Sequence, residues 1–200
     1  MTTIATETVV FIHPHALVES DKIGPGTRIW AFAHVMPGVS IGSDCNIGDH
    51  AFIETGAIVG NGVTIKNGVA IWDCVTIEDH VFLGPNCVLT NDLNPRAALR
   101  KSRGELDVTH ISEHATIGAN ATIVCGVSIG RGAFIGAGAV VTRSIPDFAL
   151  VLGNPARHAG WMCLCANKLN LPVSVQEGAF TTCIGCGRQF TATNCGLRMH

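Results

Sequence analysis

Two sets of residues in this chain of 200 have types and spacings suited to chemistry. Glu54-Thr55, Trp72-Asp73 and Thr90-Asn91 follow one another at intervals of 18. Any fold that repeats every 18 residues therefore sets a carboxylate, an indole, a second carboxylate and an amide on one edge. Such a row can hold a polar ligand, and it also suits a solvated ladder with Trp72 packed against a neighbouring subunit. The second set is Cys163-Leu-Cys165 followed by Cys183-Ile-Gly-Cys186-Gly187. Two close cysteine pairs separated by a gap read as a zinc ribbon, in which four thiolates hold Zn²⁺ tetrahedrally and fold a segment too small for its own core. The first pair is C-x-C rather than C-x-x-C, a departure from the usual knuckle. Cys163, Cys165, Cys183 and Cys186 leave no open coordination position, so the zinc is expected to be structural.

The elements that must position these residues show in a six-residue count. From Ile23 the steps meet Ile29, Val35, Ile41, Ile47, Ile53, Val59, Ile65, Ile71, Ile77, Leu83 and Leu89, all aliphatic, and the count resumes at Ile111 through Val141. Four residues after each lies a small or β-branched one, among them Ala33, Cys45, Ala57, Val69 and Cys87. Period six fits neither an amphipathic helix nor an alternating strand. It fits a parallel β-helix with one large and one small side chain inward per strand, three hexads making each triangular coil. The expectation is an all-β fold of about six coils over residues 1–157, then a small zinc-ribbon-like tail over 158–200. Residues 1–16 are expected to supply a lead-in strand and cap.

Composition agrees. Apolar residues make up 47%, aromatic ones only 6%, with no tyrosine, which suits a narrow core of Ile, Val and Ala. Twenty-three glycines suit tight corners. A net charge of −2 implies no basic surface for nucleic acid. No stretch has the ~18 apolar residues of a membrane helix, and the N-terminus lacks a secretory pattern. With nine cysteines at spacings unlike a disulfide framework, a cytoplasmic, reduced protein is expected.

The count fails at Asp92. Residues 92–109, DLNPRAALRKSRGELDVT, form an insertion that leaves the corner of Asn91. Loops this long are usually functional or disordered. Arg96, Arg100, Lys101 and Arg103 would suit phosphates. No Walker loop, nucleophile elbow, H-E-x-x-H or strand-linked G-x-G-x-x-G is present, which removes kinases, α/β-hydrolases, zincins and dinucleotide dehydrogenases.

The stretches GTRIWAFAHV, VTIKNGVAIWDCVTIEDHVFLGPNCVLTNDLNPR, GANATIVCGVSIG and IGAGAVVTRSIPDFALVLGNPAR resemble the left-handed parallel β-helix, hexapeptide-repeat acyltransferases. Within them the resemblance is to enzymes that acetylate the 3-amino group of a UDP- or dTDP-linked sugar. It implies an acetyl-CoA-dependent N-acetyltransferase, a homotrimer with sites between subunits and a nucleotide-sugar substrate. By it, Asn91 orients the acceptor amine, with the departing CoA sulfur taking the proton. Glu54, Trp72, Asp73 and His34 would line the sugar pocket. Lys66 and Asn67 would meet the nucleotide, and Arg96 the diphosphate or the neighbouring subunit. Acetyl-CoA would run past Gly118-Ala119 and Gly136-Ala137, its nucleotide end near Arg143, Asn154, Pro155 and Arg157. The chain departs from the pattern at His114, where glycine is usual, so His110 and His114 stand as alternative bases. Other readings remain: a 4-amino sugar or sugar hydroxyl as acceptor, a γ-carbonic anhydrase-like enzyme using His80, His110 and His114, and a non-catalytic scaffold.

Overall fold

The structure, a computed structural model, describes residues 9–200. Residues 1–8 of the expected lead-in and cap lie outside the described residues. Strands mostly of two residues, most followed by a four-residue corner, wind into a prism with three parallel sheets as its faces. Face A stacks Phe11–Ile12, Arg28–Ile29, Asn46–Ile47, Thr64–Ile65, Phe82–Leu83, Thr116–Ile117, Phe134–Ile135 and Ala149–Leu152. Face B stacks Leu17–Val18, His34–Val35, Phe52–Ile53, Ala70–Ile71, Val88–Leu89, Thr122–Ile123 and Val140–Val141. Face C stacks Lys22–Ile23, Ser40–Ile41, Ile58–Val59, Val75–Ile77, Thr109–Ile111 and Ser128–Ile129. The edges where these faces meet are called AB, BC and CA below.

The inward columns are those the hexads require. Ile29, Ile47, Ile65, Leu83, Ile117 and Ile135 are fully buried from face A, with Ala33, Cys45, Val69 and Ala121 among the small partners. Burial pushes the Cys87 thiol up to about 12, which fits a core residue and no nucleophile. Thr27 and Thr109 are the buried polar exceptions among the described residues, and the Thr27 hydroxyl donates to the Gly42 carbonyl at 2.8 Å and accepts from the Cys45 N–H at 3.1 Å.

Register follows the 18-residue repeat, Asn46 pairing with Thr64 and Thr64 with Phe82. At the insertion it jumps, Val75 pairing with Thr109, and the regular strand resumes at Thr109. The prism starts earlier than the hexad count. Leu17–Val18 already belongs to face B, but the step from Val18 to Ile23 is five residues rather than six, so the count misses it. At the far end Ile145 bridges to Ile129 after a shortened step, and Arg157–Trp161 turns back antiparallel on Ala149–Leu152.

The boundary expected at 157/158 falls inside that last strand. Trp161 joins a second core with Phe148, Ala149, Leu169, Phe190 and Leu197. Phe180–Thr182, Gln189–Thr193 and Gly196–Met199 form a small antiparallel sheet, which packs on the last coil through Phe148 and Phe190, ring centroids 5.2 Å apart. Among the described residues no helix is long and apolar enough to cross a membrane.

Candidate active site

Edge BC gathers Glu54, Trp72, Asp73 and Asn91 in consecutive coils, as the 18-residue spacing requires. Each is half-buried. Glu54 reaches up one coil, its carboxylate accepting the Asp73 N–H at 2.8 Å. Trp72 donates its indole N–H to the Leu89 carbonyl at 2.7 Å. Asp73 accepts the Cys74 N–H at 2.7 Å and pairs with the Arg103 guanidinium at 2.9 Å. The Asn91 backbone carbonyl accepts the Asp107 N–H at 2.9 Å, and among the described residues its side chain has no recorded partner. A carboxamide, a paired carboxylate and an indole thus share one edge, with the carboxamide free to bond an incoming polar group.

The insertion covers this edge as a folded strap. Ser102 donates its N–H and hydroxyl to Glu105, at 2.9 and 2.7 Å, closing a capping turn around the short helix Arg103–Glu105. The Asp107 carboxylate accepts the Leu93 N–H at 3.3 Å. Lys101 bonds Asp92 and holds that carboxyl below its ordinary value. Arg96, expected at a diphosphate, lies at the exposed outer turn, bridging Leu99. Arg103 reaches the edge instead. Sequence reasoning missed that role, although S-x-x-E over Ser102–Glu105 marks the turn that aims it.

An aromatic staircase descends face B from this edge. Trp72 leans on Phe52 with centroids 5.6 Å apart, Phe52 meets His34 edge-on at 5.4 Å, and His34 bonds Glu19 at 2.8 Å. His34 is therefore joined to the site through Phe52, a residue the sequence reading did not single out. From the coil of His34 to that of Asn91 is three coils, or ~14 Å at ~4.8 Å per coil.

Edge AB carries most of the residues expected to meet acetyl-CoA. Gly118-Ala119, Gly136-Ala137 and Asn154-Pro155 follow face-A strands in three successive levels, with Lys66-Asn67 farther down the same edge. Gly118 has a reason of its own to be bare, because a Cβ there would collide with the Ala137 backbone of the next coil. Asn67 folds its amide over Gly48, as Asn61 does over Gly42. Asn61 closes its corner by accepting the Ser43 N–H at 2.9 Å, and the placement of Asn67 fits the same corner role. Lys66 is exposed and Arg157 opens the antiparallel strand. Arg143 follows face B and so lies on edge BC, apart from Asn154, Pro155 and Arg157. Within one chain, face B separates the edge AB residues from Asn91.

Edge CA carries His80 and His114, and His110 lies on the adjoining face-C strand Thr109–Ile111. His80 and His114 stack with centroids 5.0 Å apart, and burial, then His80, lowers the His114 pKa. His110 turns instead to Glu78, at 2.7 Å. Within one chain the three do not converge on a point that could hold a metal.

The four tail cysteines do converge. Their Sγ atoms all lie within 4.8 Å of one another, with Cys163–Cys186 at 3.5 Å and Cys165–Cys183 at 3.4 Å. Zn–S bonds of ~2.3 Å in a tetrahedron require sulfur separations of ~3.8 Å, so the cluster fits zinc. Asn167 donates to the Cys165 sulfur at 3.3 Å and brings that thiol down to about 6. Arg188 donates to the Cys186 sulfur at 3.3 Å. Donors of this kind favour thiolates, the form that binds a metal.

Known proteins bear out the architecture. Residues 22–55, 56–91 and 109–143 match the family described as bacterial transferase hexapeptide (six repeats), the gap coinciding with the strap. The chain is 55% identical to a dTDP-3-amino-3,6-dideoxy-alpha-D-galactopyranose 3-N-acetyltransferase of Aneurinibacillus thermoaerophilus over 160 residues, 80% of this chain and 82% of that protein. Among solved structures it resembles the acetyltransferase domain of PglB from Neisseria gonorrhoeae in complex with acetyl coenzyme A. That match has a TM-score of 0.53 and 25% identity, and covers 76% of this chain and 58% of the other. A hexapeptide-repeat acetyltransferase from Vibrio cholerae, also complexed with acetyl coenzyme A, matches with TM-score 0.53 and 25% identity over 62% of this chain and 70% of that one. The chain belongs to the bacterial hexapeptide transferase family and is a homologue of acetyl-CoA-dependent N-acetyltransferases.

Proposed function

We propose that this protein transfers the acetyl group of acetyl-CoA to the 3-amino group of a nucleotide-linked amino sugar. The observation that carries the reading is edge BC itself. It places an uncommitted carboxamide, Asn91, above Asp73 and Trp72, in a chain 55% identical to a relative named for 3-N-acetylation of a dTDP-3-amino sugar.

The reaction needs a neutral amine, a thioester carbonyl within reach and a donor for the developing oxyanion. The amine nitrogen attacks the carbonyl carbon, the C–N bond forms and the C–S bond breaks. The amine's proton passes to the leaving sulfur, giving the amide and free CoA thiol. Asn91 orients the amine through its side-chain oxygen. The staircase of Trp72, Phe52 and His34, which with Asn91 spans ~14 Å, takes the rest of the acceptor. Tilted and edge-on rings with a polar end suit a base on a flexible diphosphate.

Acetyl-CoA lies along edge AB past Gly118-Ala119 and Gly136-Ala137. Because face B separates that edge from Asn91 within one chain, the complete site joins edge BC of one copy to edge AB of a neighbour, in a homotrimer. Zinc, held by Cys163, Cys165, Cys183 and Cys186, fastens the tail on the last coil and supplies no step of the reaction.

A panel of UDP- and dTDP-linked 3-amino sugars, with thiol release as readout, tests the assignment. Turnover that requires the 3-amino group supports it. Acetyl-CoA binding without transfer to any 3-amino sugar overturns it.

A further inference from the structure

The Asp73 carboxylate raises a chemical difficulty. It sits directly below Asn91, where the acceptor amine is placed by the reading above, and its side chain is only 16% exposed. A carboxylate within ~4–6 Å of an amine favours the ammonium form, commonly by a unit of pKa or more. An ammonium cannot attack a thioester.

The strap answers this charge. Arg103 Nε lies 2.9 Å from Asp73 Oδ2. The guanidinium is aimed by the Ser102–Glu105 capping turn and seated over bare Gly56. A Cβ on Gly56 would collide with the Asp73 carboxylate and come within 2.7 Å of Arg103 Nη2. The other groups facing Asp73 do not neutralise it. Glu54, from the coil below, is a second carboxylate and spends one oxygen on the Asp73 N–H. Cys74 offers its N–H, and its sulfur faces the Arg103 carbonyl at 4.0 Å. Elsewhere in the strap Lys101 is engaged by Asp92, Glu105 by Ser102, and Asp107 is one more carboxylate.

We propose that Arg103 is a positioning residue for the acceptor amine, pairing with Asp73 so that this carboxylate locates the amine without holding it as an ammonium. Asp73 then acts as a neutralised hydrogen-bond acceptor, and the strap sets the pH at which transfer begins. The proposal rests on the acceptor assignment above, but it concerns a different quantity: the pH dependence of the rate rather than the identity of the substrate.

The test is the pH profile of kcat at saturating acetyl-CoA and 3-amino nucleotide sugar, which reports ionisations in the bound complex, for the wild type, R103Q, R103K and the double variant D73N/R103Q. Circular dichroism and the melting temperature establish that each variant is folded. Because the Arg103 side chain is 67% exposed, solvent moderates the expected effect to about half to one pH unit. For R103Q the acid limb should move up by that amount, so kcat falls roughly three- to tenfold near neutral pH and recovers in alkali. R103K should restore the wild-type limb, and D73N should abolish the shift in the R103Q background. A uniform loss in R103Q at every pH would show a merely structural strap, and an unmoved limb would show no charge role. Either overturns the proposal alone. A wild type that acetylates no amino sugar overturns the acceptor assignment and the proposal together.

Discussion

The indole of Trp72 takes the place of a backbone rung at Leu89. In the neighbouring coils the first corner residue donates its backbone N–H to the strand above, Glu54 to Ile71 and Thr90 to Ile123. At Trp72 the donor to Leu89 is Nε1, at 2.7 Å. The side chain is thereby drawn along the edge instead of standing out into solvent. It lies between Phe52 below and the strand that ends two residues before Asn91.

W72F should keep the packing on Phe52 and lose this donor. Leaving the Leu89 carbonyl without it costs about 1–3 kcal/mol. The melting temperature should fall by several degrees, and KM for the amino sugar should rise more than KM for acetyl-CoA. Equal changes in the two KM values would show that Trp72 only stabilises the coil.

Gly56 has φ of +95°, and a side chain there would strike the Asp73–Arg103 pair. Gly178, at +85°, has open space around its Cβ direction. Both substitutions to alanine carry the left-handed cost of about 1 kcal/mol, but only G56A should also displace the carboxylate. Calorimetry should find G56A the less stable of the two, and steady-state kinetics should find only G56A impaired. Indistinguishable variants would mean the pair yields without consequence.

The purified protein should carry about one zinc per chain by elemental analysis, with C183S and C186S losing it. Without the metal, the core of Trp161, Leu169 and Phe190 loses its clamp, so the tail should melt first and Trp161 fluorescence should report it. Metal-free protein with unchanged melting would remove the zinc assignment.

His114 gives the stability a pH dependence. Burial, then His80, holds its imidazole below the ordinary value of 6.5. As pH falls through that value, the unfolded chain takes up a proton that the folded one resists. Stability is therefore present above it and lost on acidification. Between about pH 7.5 and about pH 5.5 the melting temperature of H114Q should fall less than that of the wild type. Parallel curves would show that the stacked pair carries no such linkage.

The prism could be read in the sequence because each hexad states one large and one small inward residue, and 18-residue stacking turns that count into edges. Glu54, Trp72, Asp73 and Asn91 were placed together on that ground alone. The six-residue count itself loses register where the step shortens, from Val18 to Ile23 and from Val141 to Ile145, although residues 17–157 were assigned to the prism. Arg143 was expected beside Asn154 by resemblance, although the count itself, after Val141, leads to edge BC. The choice of Arg103 over Arg96 depends on how the strap folds, which no periodicity encodes. Phe52 looks like any outward strand residue until His34 and Trp72 are seen on either side of it.

The most direct test of the site is Asn91→Ala, assayed for acetyl transfer to a 3-amino nucleotide sugar and for acetyl-CoA affinity in the same preparation. Losing the group that orients the amine should cut turnover by about 100-fold or more, with acetyl-CoA affinity nearly intact because edge AB is untouched. Turnover like that of the wild type would contradict the placement of the acetyl-accepting site at Asn91.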